Sequence, residues 1–347
     1  MSHAAPLRIL ALITCSLCLI VVVLGAYVRL SDAGLGCPDW PGCYGHLSPV
    51  GAAADIGAGG IAASVAAQSG RPLELGKAWR EMAHRYAAGT LAVMIVVLAI
   101  CSLAWRRERL VPLALTLALP GLVIVQALFG MLTVTWRLMP IIVTTHLLLG
   151  LTTLSLLWWV ALGLLRVPRR AGPWREIDLP GPRLRLARGL AGIGLAALAL
   201  QVTLGGWTSS NYAALACPDF PTCQGHWWPP ADFVQAFEPT RGIAINEGQS
   251  FAAPSLVAIQ LVHRLGAVLV GAVLAAAAVA ALRAQVRGLA PLLAAALIAA
   301  LVLQLGIGIS MVLRGFPLEL ATAHNAGAAL LLLATLGLNH ALHPVRS

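Results

Sequence analysis

The sequence predicts an all-α integral membrane protein with eight transmembrane helices, arranged as two tandem four-helix bundles related by pseudo-two-fold symmetry. Three observations carry that prediction. Of the 347 residues, 59% are hydrophobic and only 10% charged, with a mean hydropathy of +0.85, whereas a soluble domain carries about 25% charged residues. Eight apolar runs are each long enough to cross hydrocarbon, where only a backbone that satisfies its own hydrogen bonds survives. The chain also repeats itself at an offset close to 180 residues. This composition excludes an ordinary soluble enzyme, a disordered chain, collagen and a coiled coil. The net charge of +10 comes from arginines placed between apolar runs, which reads as membrane topology, with no nucleic-acid partner expected.

The runs are Leu7 to Val28, His84 to Trp105, Val111 to Val134, Ile141 to Leu165, Ala187 to Trp207, Leu256 to Leu282, Leu289 to Met311 and Leu320 to Leu342. The first is a helix rather than a signal peptide, because Ile9 to Val28 exceeds the roughly 7 to 15 residues of a signal core. Charge then sets direction. The N-terminus, the loops after the second, fourth and sixth runs, and the C-terminus hold 14 of the 23 basic residues and three acids; the opposite side holds nine bases and ten acids. A multi-pass protein of the inner (plasma) membrane with both termini cytoplasmic is expected. The long loops Arg29 to Ala83 and Thr208 to Ser255 then face outward.

Self-comparison organises the rest. Leu24 to His46 and Leu204 to His226 are identical at 11 of 23 positions without a gap, an offset of 180. Glu81-Met82-Ala83-His84-Arg85 aligns with Gln260-Leu261-Val262-His263-Arg264 at 179; Gln126 with Gln304, and Thr144-Thr145-His146 with Thr322-Ala323-His324, align at 178. Four helices repeat as four, and an even number gives both halves the same orientation. The expected organisation is an N-terminal bundle, 1–165, a cytoplasmic linker rich in Arg and Pro, 166–188, and a C-terminal bundle, 189–347.

Four histidines fall inside spans. His84 and His263 open the second helix of each half, and His146 and His324 lie in the first turns of the fourth. An ionisable residue within a span is costly and marks function; interhelical hydrogen bonding is the plainer reading of any one of them. Two facing imidazoles on two helices of each bundle, at one depth and in both repeats, suit the axial ligation of porphyrin iron. A closed zinc site wants about four converging ligands, and these pairs belong to separate bundles. Arg85 and Arg264 follow the histidines and either pair with porphyrin carboxylates or snorkel to the interface. His46 and His226, in the outer loops, are either solvated or sit at a porphyrin edge.

Cys37-Pro-Asp-Trp-Pro-Gly-Cys43 and Cys217-Pro-Asp-Phe-Pro-Thr-Cys223 place cysteine pairs in an oxidising compartment. Proline-rich turns favour pairing within each short loop, Cys37 with Cys43 and Cys217 with Cys223, as staples or as redox-active pairs. Cys15, Cys18 and Cys101 read as small apolar fillers. Glu81 stands where the second half has Gln260, three residues before the histidine. It is a candidate general base, a stabiliser of positive charge, or a helix-end carboxylate.

The Glu-x-x-His-Arg at 81 to 85, the Gln-x-x-His-Arg at 260 to 264, the histidines at 146 and 324 and both Cys-Pro-Asp loops together resemble the heme A synthase family, over essentially all eight helices. The resemblance implies that His263 and His324 hold a resident heme b, with Arg264 beside it. It implies that His84 and His146, with Arg85, hold heme O as substrate, and that Glu81 serves the oxidation of the C8 methyl to a formyl group through a hydroxymethyl stage. It further implies heme A as product, contact with membrane lipid, and a heme O synthase, an electron acceptor and oxidase assembly factors as partners, with a homo-oligomer open. The alternatives are a di-heme b cytochrome that leaves its hemes unchanged, and a thiol-oxidising membrane protein built on the outer cysteines.

Overall fold

A computed structural model describes residues 3–108, 110–166, 181–238, 253–285 and 289–343. Among these residues, eight helices are long and apolar enough to cross a membrane: α1 (Ala4–Leu30), α2 (Leu75–Ala104), α3 (Leu113–Thr135), α4 (Pro140–Arg166), α5 (Pro182–Ser210), α6 (Ala253–Arg283), α7 (Ala290–Leu313) and α8 (Leu318–Leu342). Each expected span is present, and the protein is a multi-pass helical membrane protein. Residues 167–180 of the expected linker lie outside the described residues. Its last stretch, from Pro182 to Arg188, already belongs to α5, which starts with proline at a position where the missing N–H costs nothing.

Two boundaries differ from the sequence reading in a way that matters. His84 and His263 do not open their helices: α2 begins nine residues earlier at Leu75, and α6 ten residues earlier at Ala253. Hydropathy misses the added turns of α2 because they carry Lys77, Arg80 and Glu81. Those turns are held by partners instead, with Lys77 Nζ 3.0 Å from Asp32 Oδ2 and 3.3 Å from Glu74 Oε1, and with Ala78 fully buried. The histidines are therefore carried in mid-helix, a more rigid mounting than a frayed first turn.

Helix pairing is the same in both halves. In the first, α1 packs on α2, α2 on α3, α3 on α4 and α4 back on α1; in the second, α5 to α8 close the same ring. Contacts of α1 with α8, and of α4 with α5 and α8, join the two rings through one continuous apolar core. This is the packing that a tandem duplication of a four-helix unit produces. Polar side chains within spans are handled locally: the buried Thr14, Ser102 and Thr335 hydroxyls donate to carbonyls one turn back.

The outer loops repeat down to single hydrogen bonds. Cys43 N and His46 O lie 2.7 Å apart, and His46 N donates to Cys43 O at 3.1 Å; the Cys223–His226 pair matches at 2.9 and 3.1 Å. The two central residues of each turn have positive φ, 53° and 77° at Tyr44 and Gly45, 54° and 76° at Gln224 and Gly225, the geometry of a type I′ turn. An aspartate stabilises each strained pair. Asp39 accepts from Tyr44 N (2.6 Å) and Gly45 N (2.7 Å), and Asp219 from Gln224 N (2.6 Å) and Gly225 N (2.9 Å). The Thr222 hydroxyl, with those amides, holds the Asp219 carboxyl down at about 2. A depressed carboxylate contributes above its ordinary value and loses that contribution as pH falls through the folded value. Hydrogen-exchange protection of the Gln224 and Gly225 amides should therefore hold at neutral pH and fade between about pH 4 and pH 2.

Cys37 pairs with Cys43 and Cys217 with Cys223, as the spacing suggested. Closing a loop of about six residues removes chain entropy worth about 2 kcal/mol. Replacing one pair with serines should lower stability by that order, read as a lower thermal midpoint of the purified protein, and leave the other loop intact. The alanine-rich stretch after the first loop forms two short helices, Pro49–Gly57 and Ile61–Ser69, bent by 96°. Asp55 ties the bend by accepting from Ala62 N at 2.7 Å and facing His46 Nε2 at 3.2 Å. The loop thus uses His46 as a brace, while His226 is exposed.

Candidate functional site

Each ring of four helices brings two histidines together. His84 on α2 and His146 on α4 are electrostatic neighbours, as are His263 on α6 and His324 on α8. Every one of the four imidazoles is seated on a glycine of an adjacent helix. A Cβ at Gly25 would lie 2.8 Å from His84 Cε1, at Gly130 3.2 Å from His146 Cε1, at Gly205 3.1 Å from His263 Cε1, and at Gly308 2.9 Å from His324 Cε1. Only glycine lets an imidazole ring approach the helix this closely. His84 Nδ1 and His146 Nδ1 are buried without a hydrogen-bond partner, an expensive condition unless a ligand takes them.

A glutamine one turn before the glycine adds a second restraint. Gln126 Nε2 donates to His146 O at 3.1 Å; Gln201 Nε2 donates to His263 O at 2.8 Å and lies 3.0 Å from His263 Nδ1; Gln304 Nε2 donates to His324 O at 3.0 Å. The Gln-x-x-x-Gly spacing at 126–130, 201–205 and 304–308 was visible in the sequence. The Gln126–Gln304 match follows from the four-helix repeat, whereas the match to Gln201 follows from a shorter two-helix repeat within it. In α1 the corresponding residue is Val21.

Between α5 and α8 lies a cavity of about 810 Å³, with His263, His324, Gln201 and Gln304 in its wall, reaching to Val22 and Arg29 of α1 and Leu147 and Leu151 of α4. Sites for ligands of cofactor size span roughly 300 to 1,000 Å³ and are mostly apolar with a few placed polar groups. In the second ring, two glycine-seated imidazoles in the wall of an apolar cavity of this size fit an iron porphyrin; in the first ring, the fit rests on the glycine seats and the unpartnered Nδ1 atoms of His84 and His146. Among the described residues, no three of His, Cys, Asp and Glu converge as a metal-ion site.

The arginines have a role that sequence did not suggest. Arg264 donates to the carbonyls of Thr222 (2.8 Å), Cys217 (2.9 Å) and Asp219 (2.9 Å), and Arg85 donates to those of Asp39 (2.9 Å), Pro41 (3.1 Å) and Gly42. Each disulfide loop is thereby gripped by the residue next to a histidine. Arg264 keeps its Nε buried and unpartnered at the cavity. Glu81 is 4% exposed, with Oε1 2.5 Å from Arg85 Nη2 and Oε2 accepting from Cys37 N at 2.9 Å. Its carboxylate is a held group, aimed at Arg85 and the loop. Gln260, at the matching place, is equally buried, and its Oε1 has no partner.

Arg29 is the residue that sequence reasoning missed. It stands at the outer end of α1, yet it lines the second-half cavity, with its guanidinium 4.4 Å over the Tyr212 ring, Nε buried and unpartnered, and only a 3.5 Å contact to Ser210 O. Among the described residues it has no carboxylate partner. A cation so placed calls for an anion. The one signal in sequence was an arginine on the side where few bases are expected.

Tandem four-helix rings, each bringing two histidines together on glycine seats beneath a disulfide loop, define a class of polytopic membrane protein with two like histidine pairs. The model for the cytochrome oxidase assembly protein family, COX15-CtaA, matches residues 8–336. A heme A synthase of Shewanella oneidensis is 39% identical over 339 residues, covering 95% of this chain and 94% of that one. A heme A synthase of Nitrosospira multiformis is 28% identical, covering 97% and 93%, and one of Halalkalibacterium halodurans is 28% identical over 230 residues, covering 64% and 66%. The chain belongs to the COX15-CtaA cytochrome oxidase assembly protein family.

Proposed function

We propose that the protein is a heme A synthase, an oxidoreductase that converts the C8 methyl of heme O to the formyl group of heme A. The observation that carries the reading is the duplicated pair of glycine-seated histidines, with a carboxylate beside only one pair. In this reading His84 and His146 hold heme O in the N-terminal bundle, residues 1–165, and His263 and His324 hold a resident heme b in the C-terminal bundle, residues 189–347. Bound heme b supplies a route for the electrons that methyl oxidation removes, onward to a membrane electron acceptor. The chain's own groups do the rest. The glycine seats and glutamine amides fix the imidazoles, the apolar walls exclude water, and Glu81 takes up protons and balances positive charge on the substrate rim. Arg29 and Arg264 meet the carboxylates of the resident porphyrin at the outer end of the cavity.

Both termini are cytoplasmic in this reading, and heme O reaches the N-terminal site within the membrane from a heme O synthase. Oxidase assembly factors receive the product, and copies of the chain can associate in the bilayer.

Mass analysis of porphyrins extracted from the purified protein tests the reading. Heme b together with heme O or heme A is expected; heme b alone, under conditions where heme O is made, favours an electron-transfer cytochrome instead. A separate expectation concerns Arg29. Arg29→Gln removes positive charge near the resident porphyrin, so the midpoint potential of heme b should fall and its retention on a column should weaken. A spectropotentiometric titration identical to the parent's would remove Arg29 from that site.

A further inference from the structure

The four histidine corners are built alike, and one is altered at two matched places. At three corners the glutamine carboxamide occupies the room left by a glycine on the histidine helix. Gln201 Oε1 would lie 2.2 Å from a Cβ at Gly266, Gln304 Oε1 2.2 Å from one at Gly327, and Gln126 Nε2 3.2 Å from one at Gly150. These glycines follow their histidines by three or four residues, so amide and glycine form one seat across two helices. At the fourth corner the repeat offset of 179 puts Ala87 where the second half has Gly266, and the offset of 180 puts Val21 where it has Gln201. By the repeat, a glutamine at 21 set as Gln201 is set would fall on the Ala87 methyl, since a Cβ at Gly266 would lie 2.2 Å from Gln201 Oε1. The exchange is matched, a shorter apolar side chain on one helix and an added methyl on the other, and both residues lie against the core of the first ring.

The consequence falls on His84. At the other corners an amide donates to the histidine's own carbonyl and lies against its ring, which restrains the helix turn and the imidazole together. Val21 meets His84 through a backbone hydrogen bond only and has no side-chain donor for the His84 carbonyl, so His84 rests on Gly25 without the amide clamp. We infer that His84 is the releasable iron ligand of the substrate site: the Val21–Ala87 corner lets one side of the porphyrin detach while His146, clamped by Gln126, keeps its hold. The second bundle, with amide seats at both histidines, retains its porphyrin. A substrate has to be exchanged and a resident group does not, and the difference between the bundles runs in that direction. This inference rests on the assignment of His84 and His146 to the substrate porphyrin.

The test uses the full-length protein in detergent, loaded with iron protoporphyrin IX as the probe, and follows transfer of heme to excess apomyoglobin. The parent should lose heme in two phases, and His146→Ala should abolish the faster one. Val21→Gln combined with Ala87→Gly rebuilds the amide seat, and should slow the fast phase roughly threefold to tenfold, the worth of one net hydrogen bond. It should also raise the low-spin fraction of the first-site heme in its absorption spectrum. The reverse change in the second bundle, Gln304→Val with Gly327→Ala, should quicken the slow phase by a similar factor. A fast phase unchanged in the rebuilt corner, with the slow phase unchanged in the reversed one, overturns the inference while leaving the site assignment standing. A single phase in the parent, with heme content indifferent to His84→Ala and His146→Ala, overturns the assignment and the inference together.

Discussion

Glu81→Gln is expected to keep the heme b spectrum of the parent, to accumulate heme O or its hydroxymethyl product, and to make heme A at a rate lower by on the order of 10²-fold or more. The chain contains its own control for folding. Gln260 occupies the matching place in α6, equally buried, under a loop gripped by Arg264 in the way that Arg85 grips the first. A glutamine at this place is thus compatible with the architecture. Its carbonyl oxygen can still accept from Cys37 N, and Arg85 retains its loop carbonyls. What disappears is the charge and the ability to take a proton. A carboxylate in a site of low dielectric acts on neighbouring charge far more strongly than one in water, so the loss should appear in turnover rather than in heme content. Chromatography of extracted porphyrins is the measurement, and heme A formed at the parent rate would show that Glu81 is only the strut between Arg85 and Cys37.

Replacing either histidine of the second pair, His263→Ala or His324→Ala, should strip most heme b from the purified protein and abolish turnover. His84→Ala or His146→Ala should leave heme b in place and halt the substrate reaction. The split follows from the ring structure, since each pair lies within one bundle and the bundles meet through apolar surfaces of α1, α4, α5 and α8. Difference spectra report the resident heme, and porphyrin extraction reports the substrate. Equal heme b content in all four variants would remove the axial assignment.

The features that carried most of this were legible in the sequence for definite reasons. Hydrophobic length reports spans because lipid leaves the backbone no alternative, and the offset near 180 reports duplication directly. The outer end of α2 was not legible, because its added turns lie beyond the apolar run and are stabilised by Lys77 pairing and by packing under the loop. Beyond their own i,i+4 pair, the partners of Arg85 and Glu81 were hidden for a related reason: they are backbone groups of a loop some forty residues away in sequence, and a backbone group has no signature in a residue string. Arg29 was hidden because the cavity it lines belongs to the other half of the chain.

The corner pattern bears on regiochemistry. Within each ring, a glycine helix followed by a histidine helix occurs twice, so that α1–α2 and α3–α4 are two like hairpins that meet at the histidine pair. Such a site has a local dyad and offers a flat, nearly symmetric ring two settings that differ by a half-turn. For a heme that only relays electrons, either setting serves. Oxidation of one particular methyl cannot tolerate both, because a half-turn would carry a different edge of the ring to the reactive position. The first ring breaks its dyad where Val21, Ala87 and Glu81 cluster around His84, while the second keeps amide seats at both corners. The same three substitutions that make the first site different therefore also give it a head and a tail.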